Sequence, residues 1–320
     1  MPVYTSIRYI DVMGCVSTAI MILLASAWIP IIGPFFGLLT PLPFLYYATK
    51  LGPFQGSKVI IITFLIIGLI AKLIGHTHLI LFCLEFGLLG LIISWLYRKN
   101  LTVGLTIFLS TGFMLLMGLI FLYAIALSKG MGPIELFLGH LQKNLTEMIS
   151  FYDRVGLNED KADQIKIIGQ TITQALLRVS PSIIIVVTGL TVWLNVIISK
   201  PLFILRNLKY PEFGSLDRWK APEVMVWGLI ASGFALFFTG GIVRLIAVNA
   251  LIVISAIYIF QGLSIVLFIL NKYNVGRGMR FLVYFLILFQ QIMLLGLFFA
   301  GLFDQWLDLR KIHKKREVET

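Results

Sequence analysis

Long apolar stretches with almost no charge alternate with short polar segments along this 320-residue chain. A run of about 20 apolar residues is what an α-helix needs to cross the hydrocarbon core of a bilayer. The pattern therefore predicts an all-α, polytopic transmembrane bundle of about nine spans, with eight as the alternative count. The predicted spans are Val12–Ile29, Gly33–Thr49, Lys58–Gly75, Leu79–Tyr97, Leu101–Leu127, Ser182–Ser199, Val224–Gly240, Ile242–Leu270 and Phe281–Phe303.

Prolines interrupt the second predicted span. Pro34, Pro41 and Pro43 lie within it, and each removes a backbone donor that a regular helix needs. A broken or re-entrant helix is tolerated where protein or a cavity satisfies the freed backbone groups. We therefore expect this segment to be broken.

The one long polar insertion, residues 128–181, lies between the fifth and sixth spans. Apolar residues spaced by three and four from Ile134 to Val155 predict an amphipathic helix in the membrane interface or across the end of the bundle. Asn158 is a good N-cap for a second helix, which we expect to end at Pro181.

Composition changes again in the short basic loop between residues 200 and 223. The predicted domains are a membrane unit at 1–200 that includes the polar insertion, a basic linker at 201–223, and a three-helix membrane unit with a basic tail at 224–320.

Positive charge is in excess, with 26 Lys and Arg against 15 Asp and Glu. Most of these cations lie in short loops between spans, where they indicate topology and headgroup contact rather than nucleic-acid binding. Their distribution favours a cytoplasmic N-terminus. Nine spans then place the basic tail, from Arg310 to Arg316, on the opposite side, against the positive-inside rule. A change of one in the number of spans removes this conflict.

Charged residues inside apolar runs are costly and therefore informative. Lys72 and Glu85 flank the turn at His76 and His78, and helical geometry places both at a similar depth. One interpretation is a polar ligand pocket of Lys72, His76, His78 and Glu85. The alternative is a buried ion pair that only fixes the helical hairpin.

Three further polar residues, Arg244, Asn249 and Gln261, lie in the eighth predicted span. Arg244 is expected to reach the headgroups, and the two amides are expected to connect helices. No metal site is predicted, because the His-x-His at a turn has no fixed helical face. The usual hydrolase, phosphate-loop and zinc-protease motifs are missing, so neither an enzyme nor a cofactor is expected.

Two resemblances are present. The segment from Pro41 to Gly56, with its Gly52-Pro53-Phe54-Gln55-Gly56 turn, resembles the helix–turn–helix of S-components of energy-coupling-factor transporters. The chain as a whole is similar to the YybS-like family of uncharacterised bacterial membrane proteins. The residues that carry this second resemblance are Pro181, Asn195, Trp219, Pro222, Trp227, Gln261-Gly262 and the segment from Gly301 to Lys311.

These resemblances imply an S-component-like six-helix N-terminal unit followed by three C-terminal helices, in the bacterial inner (plasma) membrane. The function that we expect is binding or transport of a small solute without an ATPase of its own. The alternative is a non-transporting scaffold for an envelope or cell-shape assembly. The expected partners are the lipid bilayer, a small-molecule ligand and a membrane protein.

Overall fold

The computed structural model describes residues 7–29, 32–73, 75, 78–154, 159–208 and 210–310, without the side chains of Ala27, Pro34, His78 and residues 144–170. Helices account for almost all of the described chain. They are α1 (Tyr9–Trp28), α2 (Gly33–Gly37), α3 (Pro41–Leu51), α4 (Pro53–Leu73), α5 (His78–Arg98), α6 (Val103–Lys129), α7 (Pro133–Arg154), α8 (Glu159–Leu205), α9 (Val224–Phe238), α10 (Gly241–Lys272), α11 (Arg277–Phe289) and α12 (Gln291–Leu307). A 3-10 turn, Leu216–Arg218, precedes α9.

The predicted class, a helical membrane bundle, is confirmed. Six of the described helices are long and apolar enough to cross a membrane, or seven if the bent pair of α11 and α12 counts as one span. The predicted number of nine is not confirmed. The second predicted span is divided into α2 and α3, and α9 has only 15 residues.

The proline-rich second segment is broken, as predicted. A tight turn then connects α3 to α4. Gly52 adopts a φ of +89°, which favours glycine, and Pro53 occupies the first position of α4. A Cβ atom on Gly56 would lie 2.7 Å from Ala48 Cα. Glycine at position 52 therefore lets the chain turn sharply, and glycine at position 56 lets α3 and α4 approach closely.

The expected end of the second polar helix at Pro181 is wrong, because α8 continues for 47 residues through this proline. Ser180 Oγ donates to Leu177 O, the carbonyl that the missing proline N–H leaves free. The side-chain amide of Asn249 replaces the next helical bond. It accepts from Ser182 N at 2.9 Å and donates to Arg178 O at 2.9 Å. Side chains thus satisfy the backbone groups that proline would have orphaned.

The amphipathic helix predicted from Ile134 to Val155 is present as α7, Pro133–Arg154. The next helix begins at Glu159, one residue after the predicted N-cap Asn158, which lies outside the described residues. The polar insertion is therefore helical over most of its length.

Two compact units divide the chain. Unit 1 comprises Met1–Pro133 and Val187–Phe213, and unit 2 comprises Ile134–Val186 and Gly214–Thr320. This division differs from the predicted domains in assigning most of the polar insertion to unit 2 and most of the basic linker to unit 1.

In unit 1, α3 packs against α4 and α5, and α1 packs against α2, α3 and α4. The helices α3 and α5 touch at Gly90, where a Cβ atom would lie 2.7 Å from Leu45 N. Phe44, Leu45 and Leu89 are buried at this crossing.

In unit 2, α10 is the central helix and packs against α9, α12 and the 3-10 turn. Its contact with α12 is made by two glycines. A Cβ atom on Gly262 would lie 2.1 Å from Leu297 O, and one on Gly301 would lie 2.1 Å from Tyr258 O. The two backbones can approach this closely only because neither residue has a side chain.

Candidate functional site

The residues of the predicted polar pocket lie around the connection between α4 and α5. Lys72 is exposed in the last turn of α4, and no described residue forms a hydrogen bond or an ion pair with it. Glu85 is half-buried on α5, with Oε1 3.3 Å from the position that a Cβ on Gly118 of α6 would take. Lys72 and Glu85 thus form no ion pair with each other.

The other two members of this predicted pocket, His76 and the side chain of His78, lie outside the described part of the chain. The pocket itself stays a prediction. Within the described residues, no group of three or more potential ligands could hold a metal ion.

A cavity of about 290 Å³, open to the surface, lies at the other end of these helices, in unit 1. Its walls come from α3, α4, α5 and α6. The lining residues are Ala48, Pro53, Ser57, Leu88, Leu91, Ile92, Ser94, Trp95, Arg98 and Phe113. Leu88 and Arg98 are ten positions apart on one helix, so the lining extends over about 15 Å. One end of the cavity is polar and the rest is apolar.

Arg98 supplies the charge at the polar end. It lies in the last turn of α5, and its Nη2 is 3.5 Å from the position that a Cβ on Gly52 would take. The first turn of α4 begins at the next residue, and the N-terminal end of a helix favours anions. Arg98 and the start of α4 therefore give this end of the cavity a positive potential.

Nearby cations differ from Arg98 in having partners. Lys99 Nζ lies 5.1 Å from the centroid of the Trp95 ring, and Lys58 Nζ lies 4.4 Å from the centroid of the Phe54 ring, so both ammonium groups contact an aromatic face. Among the described residues, none forms a hydrogen bond or an ion pair with the Arg98 side chain. Its five N–H donors are thus available to a carboxylate or a phosphate, which a guanidinium binds through two parallel hydrogen bonds.

Helix α6 of the same unit buries hydroxyl groups. Thr106 and Ser110 are fully buried on one face of the helix, and neither hydroxyl has a hydrogen-bond partner among the described residues. Buried polar groups are usually paired. These two hydroxyls therefore lower the stability of the isolated chain unless water or a ligand reaches them.

A buried ion pair forms the centre of a polar cluster in unit 2. Arg310 Nη2 lies 2.7 Å from Asp304 Oδ2, and both side chains are completely buried. Arg310 Nη1 also donates to the carbonyls of Asp217 and Trp219 and to Ser264 Oγ. One arginine therefore connects α12, α10 and the 3-10 turn.

Gln261, predicted to make polar contacts between helices, is fully buried in this cluster. It donates to Asp304 Oδ2 at 3.0 Å and accepts from Ala221 N at 3.1 Å. The Gln305 side chain donates to Ala221 O at 3.1 Å. The loop before α9 is thus held by side-chain amides on two helices.

The other two polar residues predicted on this helix lie nearer its start. The Asn249 side chain connects α10 to α8 beside Pro181 through its hydrogen bonds to Ser182 N and Arg178 O, and it also donates to Leu245 O. Arg244 is exposed in the first turn of α10.

The loop of unit 2 also holds an ionised carboxylate. Burial raises the pKa of Asp217, but hydrogen bonds from Ser215 and Asn271, together with the charge of Arg218, outweigh this effect and lower the pKa below its ordinary value. The hydrogen bond from Asn271 Nδ2 to Asp217 Oδ2 is 2.9 Å long and connects the loop to the end of α10.

A family of predicted membrane proteins, DUF2232, matches residues 17–305. The chain belongs to this family. No curated protein and no solved structure matches the chain. The assignment to the YybS-like membrane family is confirmed, and the similarity to S-components stays a prediction.

Several residues on which the family resemblance rests come together in the polar cluster of this DUF2232 protein. Trp219, Gln261, Asp304 and Arg310 belong to one hydrogen-bonded group, and Gly262 makes the adjacent helix crossing. The sequence motifs thus coincide with a structural centre in unit 2. Sequence reasoning did not single out Arg98 as a binding residue, because a cation at a helix end is usually a topology signal.

Proposed function

We propose that this integral membrane protein binds a single-chain anionic amphiphile in the cavity of unit 1. The observation that carries this proposal is the exposed Arg98 guanidinium on the wall of a mainly apolar cavity, where no described residue forms a hydrogen bond or an ion pair with it. A ligand with a carboxylate or phosphate head would pair with Arg98. Its hydrocarbon body would then lie along Leu88, Leu91 and Phe113, away from the polar end.

Several features support an amphiphile rather than a fully polar solute. The cavity walls are mostly apolar side chains, and Ser57, Ser94, Trp95 and Arg98 are the side chains with polar groups among its lining residues. Ser57 already donates to Phe54 O, and Ser94 accepts from Thr49. The arginine is therefore the strongest group in the cavity for recognising a head group.

Such binding fits a protein of the bacterial plasma membrane that takes up or presents its ligand from within the bilayer. Transport would depend on a partner for energy, since no phosphate-binding motif is found in the sequence. An S-component-like role for unit 1 is consistent with this proposal and is part of it.

Native mass spectrometry of gently purified protein tests the proposal. We expect the unmodified protein to retain an amphiphile of defined mass, and Arg98→Ala to lose it. A charge-assisted hydrogen bond contributes about 1.5–3 kcal/mol, so affinity should fall roughly 10- to 100-fold. Lys99→Ala is the matched control, because it removes a neighbouring cation that does not line the cavity.

A second variant tests the apolar part of the cavity. Leu91→Trp should fill this space and prevent retention of the ligand while Arg98 is still present. Dodecyl phosphate below its micellar concentration should raise the melting temperature of the unmodified protein and of Lys99→Ala, but not of Leu91→Trp or Arg98→Ala.

The scaffold role predicts a different result. A protein partner would copurify, no amphiphile would be retained, and dodecyl phosphate would have the same effect on Arg98→Ala as on the unmodified chain. That outcome would reject the binding proposal.

A further inference from the structure

The bent pair α11 and α12 begins at the C-terminal end of α10. Arg280, in the first turn of α11, donates to Leu270 O at 3.1 Å and to Asn271 Oδ1 at 2.8 Å. It also donates to Val275 O at 2.8 Å. These bonds satisfy carbonyl groups at the end of α10 and fix the start of α11 there.

The same pair also ends close to the C-terminal end of α10. Beyond α12, Arg310 donates to Ser264 Oγ at 2.7 Å and to Asp217 O at 2.7 Å. Asp217 is in turn bonded to Asn271, the residue that accepts from Arg280. A single chain of hydrogen bonds thus joins the beginning of α11 to the residues that follow α12.

The depth of these two ends can be compared along α10. Arg310 touches Ser264 and Arg280 touches Leu270, which are six residues and therefore about 9 Å apart along the helix axis. The hydrocarbon core is about 30 Å thick. Ends this close in depth cannot lie on opposite faces of the bilayer.

The break between the two helices is consistent with a return. The helices α11 and α12 contain 13 and 17 residues and meet at Gln290 with a bend of 100°. A straight helix of the same length would extend over about 45 Å. The sharp bend instead allows the chain to enter the membrane and come back.

We propose that α11 and α12 form a re-entrant pair, and that the face to which they return is a cationic docking surface for anionic lipid headgroups. Arg310, the last described residue, then lies at the same face as the 3-10 turn and the end of α10. Because the positive-inside rule favours cations in the cytoplasm, this face is cytoplasmic. The basic tail predicted from the sequence then no longer conflicts with the positive-inside rule.

Charge indicates the partner of this surface. Arg218, Lys272 and Arg277 lie around the two ends of the re-entrant pair. Clusters of cations beside membrane segments attract the anionic lipids of the cytoplasmic leaflet.

Cysteine labelling with a membrane-impermeant maleimide tests the topology. Single cysteines are introduced as Thr320→Cys in the tail, Glu223→Cys before α9 and Gly240→Cys at the opposite end of α10. The two native cysteines, Cys15 and Cys83, are buried, and the unmodified protein measures their background. We expect Thr320→Cys and Glu223→Cys to react from one side and Gly240→Cys from the other. Reaction of Thr320→Cys from the same side as Gly240→Cys would show a complete crossing and overturn the re-entrant pair.

Lipid retention tests the docking surface. The chain carrying Arg98→Ala, which removes the proposed cavity ligand from the measurement, is reconstituted in nanodiscs that contain phosphatidylglycerol and phosphatidylcholine. Adding Lys272→Glu and Arg277→Glu should lower the retained phosphatidylglycerol several-fold in native mass spectra. Arg244→Glu, at the opposite end of α10, is the matched control and should leave it unchanged. Equal retention of phosphatidylglycerol by Arg98→Ala alone, by Arg98→Ala with the two glutamate substitutions and by Arg98→Ala with Arg244→Glu would reject the docking surface without affecting the cavity proposal.

Discussion

Two regions of this protein, one in each unit, differ in how far their polar side chains are paired. In unit 2, Asp304, Arg310, Gln261 and Ser264 bond to one another and to the backbone of the 3-10 turn and the residues that follow it. In unit 1, the buried hydroxyls of Thr106 and Ser110 on α6 have no partner among the described residues, and no described residue forms a hydrogen bond or an ion pair with the exposed guanidinium of Arg98. Buried polar groups that are paired within the chain stabilise one arrangement, whereas unpaired ones are available to water or a ligand.

The largest expected effect comes from breaking the buried ion pair of unit 2. Arg310→Ala leaves Asp304 as an unpaired buried charge, which should cost about 3–5 kcal/mol. The comparable change in unit 1 is Lys50→Ala. Lys50 pairs with the buried Asp11 at 2.6 Å but is 19% exposed, and Arg8 lies 3.5 Å from the same carboxylate.

We therefore expect Lys50→Ala to cost less, about 1–2 kcal/mol. The fall in melting temperature of each variant, measured by fluorescence-detected size-exclusion chromatography, compares the two losses of stability. Similar losses for the two variants would remove this distinction between the units.

The glycine crossing of unit 2 should give the next largest effect. Gly262→Ala would place a Cβ atom 2.1 Å from Leu297 O, so the two helices would have to separate. Overpacking of this kind costs about 3 kcal/mol. The control is Gly296→Ala on α12, where a Cβ would meet no atom within 4 Å. A melting temperature that falls equally for both substitutions would show that helix propensity, rather than close packing, is responsible.

Two serine substitutions compare the units directly and should have opposite signs. Ser264→Ala removes a hydroxyl that donates to Leu216 O at 2.7 Å and accepts from Arg310, which should cost about 1–3 kcal/mol. Ser110→Ala removes a buried hydroxyl without a described partner and should stabilise unit 1 by up to about 1 kcal/mol.

The same thermal measurement distinguishes these two outcomes. Destabilisation by Ser110→Ala in lipid-free detergent would mean that its hydroxyl is satisfied, and the contrast between the units would be weaker than we infer.

The smallest effect concerns the pH dependence of the loop in unit 2. Because the pKa of Asp217 is lower in the folded protein, its contribution to stability is complete above the ordinary carboxyl pKa and is lost as pH falls below about 4. We expect the difference in melting temperature between the unmodified protein and Asp217→Asn to be constant near neutral pH and to shrink in acid. A difference that grows as pH falls would contradict the lowered pKa.

Much of the helical arrangement could be predicted because its signals are local. The proline breaks in the second segment, the Gly52 turn and the amphipathic helix α7 each follow from a few neighbouring residues. Pro181 shows where local reasoning fails. This residue reads as a helix end in the sequence, yet Asn249, 68 positions away, supplies the hydrogen bonds that keep α8 continuous.

The polar cluster shows the same division. Gln261 could be identified as a contact residue, because an amide inside an apolar helix needs a partner. Its partners could not be identified, since Ala221 and Asp304 are 40 and 43 positions away. Arg98 and Lys72 carry the same charge at helix ends, and only packing places Arg98 on the wall of a cavity.

The sequence by itself determined that this is a helical membrane protein of its family. The free energy of moving a segment from water into lipid depends on the composition of that segment, so it can be judged without knowing which helices lie beside it. The tertiary structure decided which polar residues are paired, where the chain bends and which cation faces a cavity. Hydrogen bonds and ion pairs act over about 3 Å. They therefore depend on which helices meet, and that is set by the packing of the whole unit.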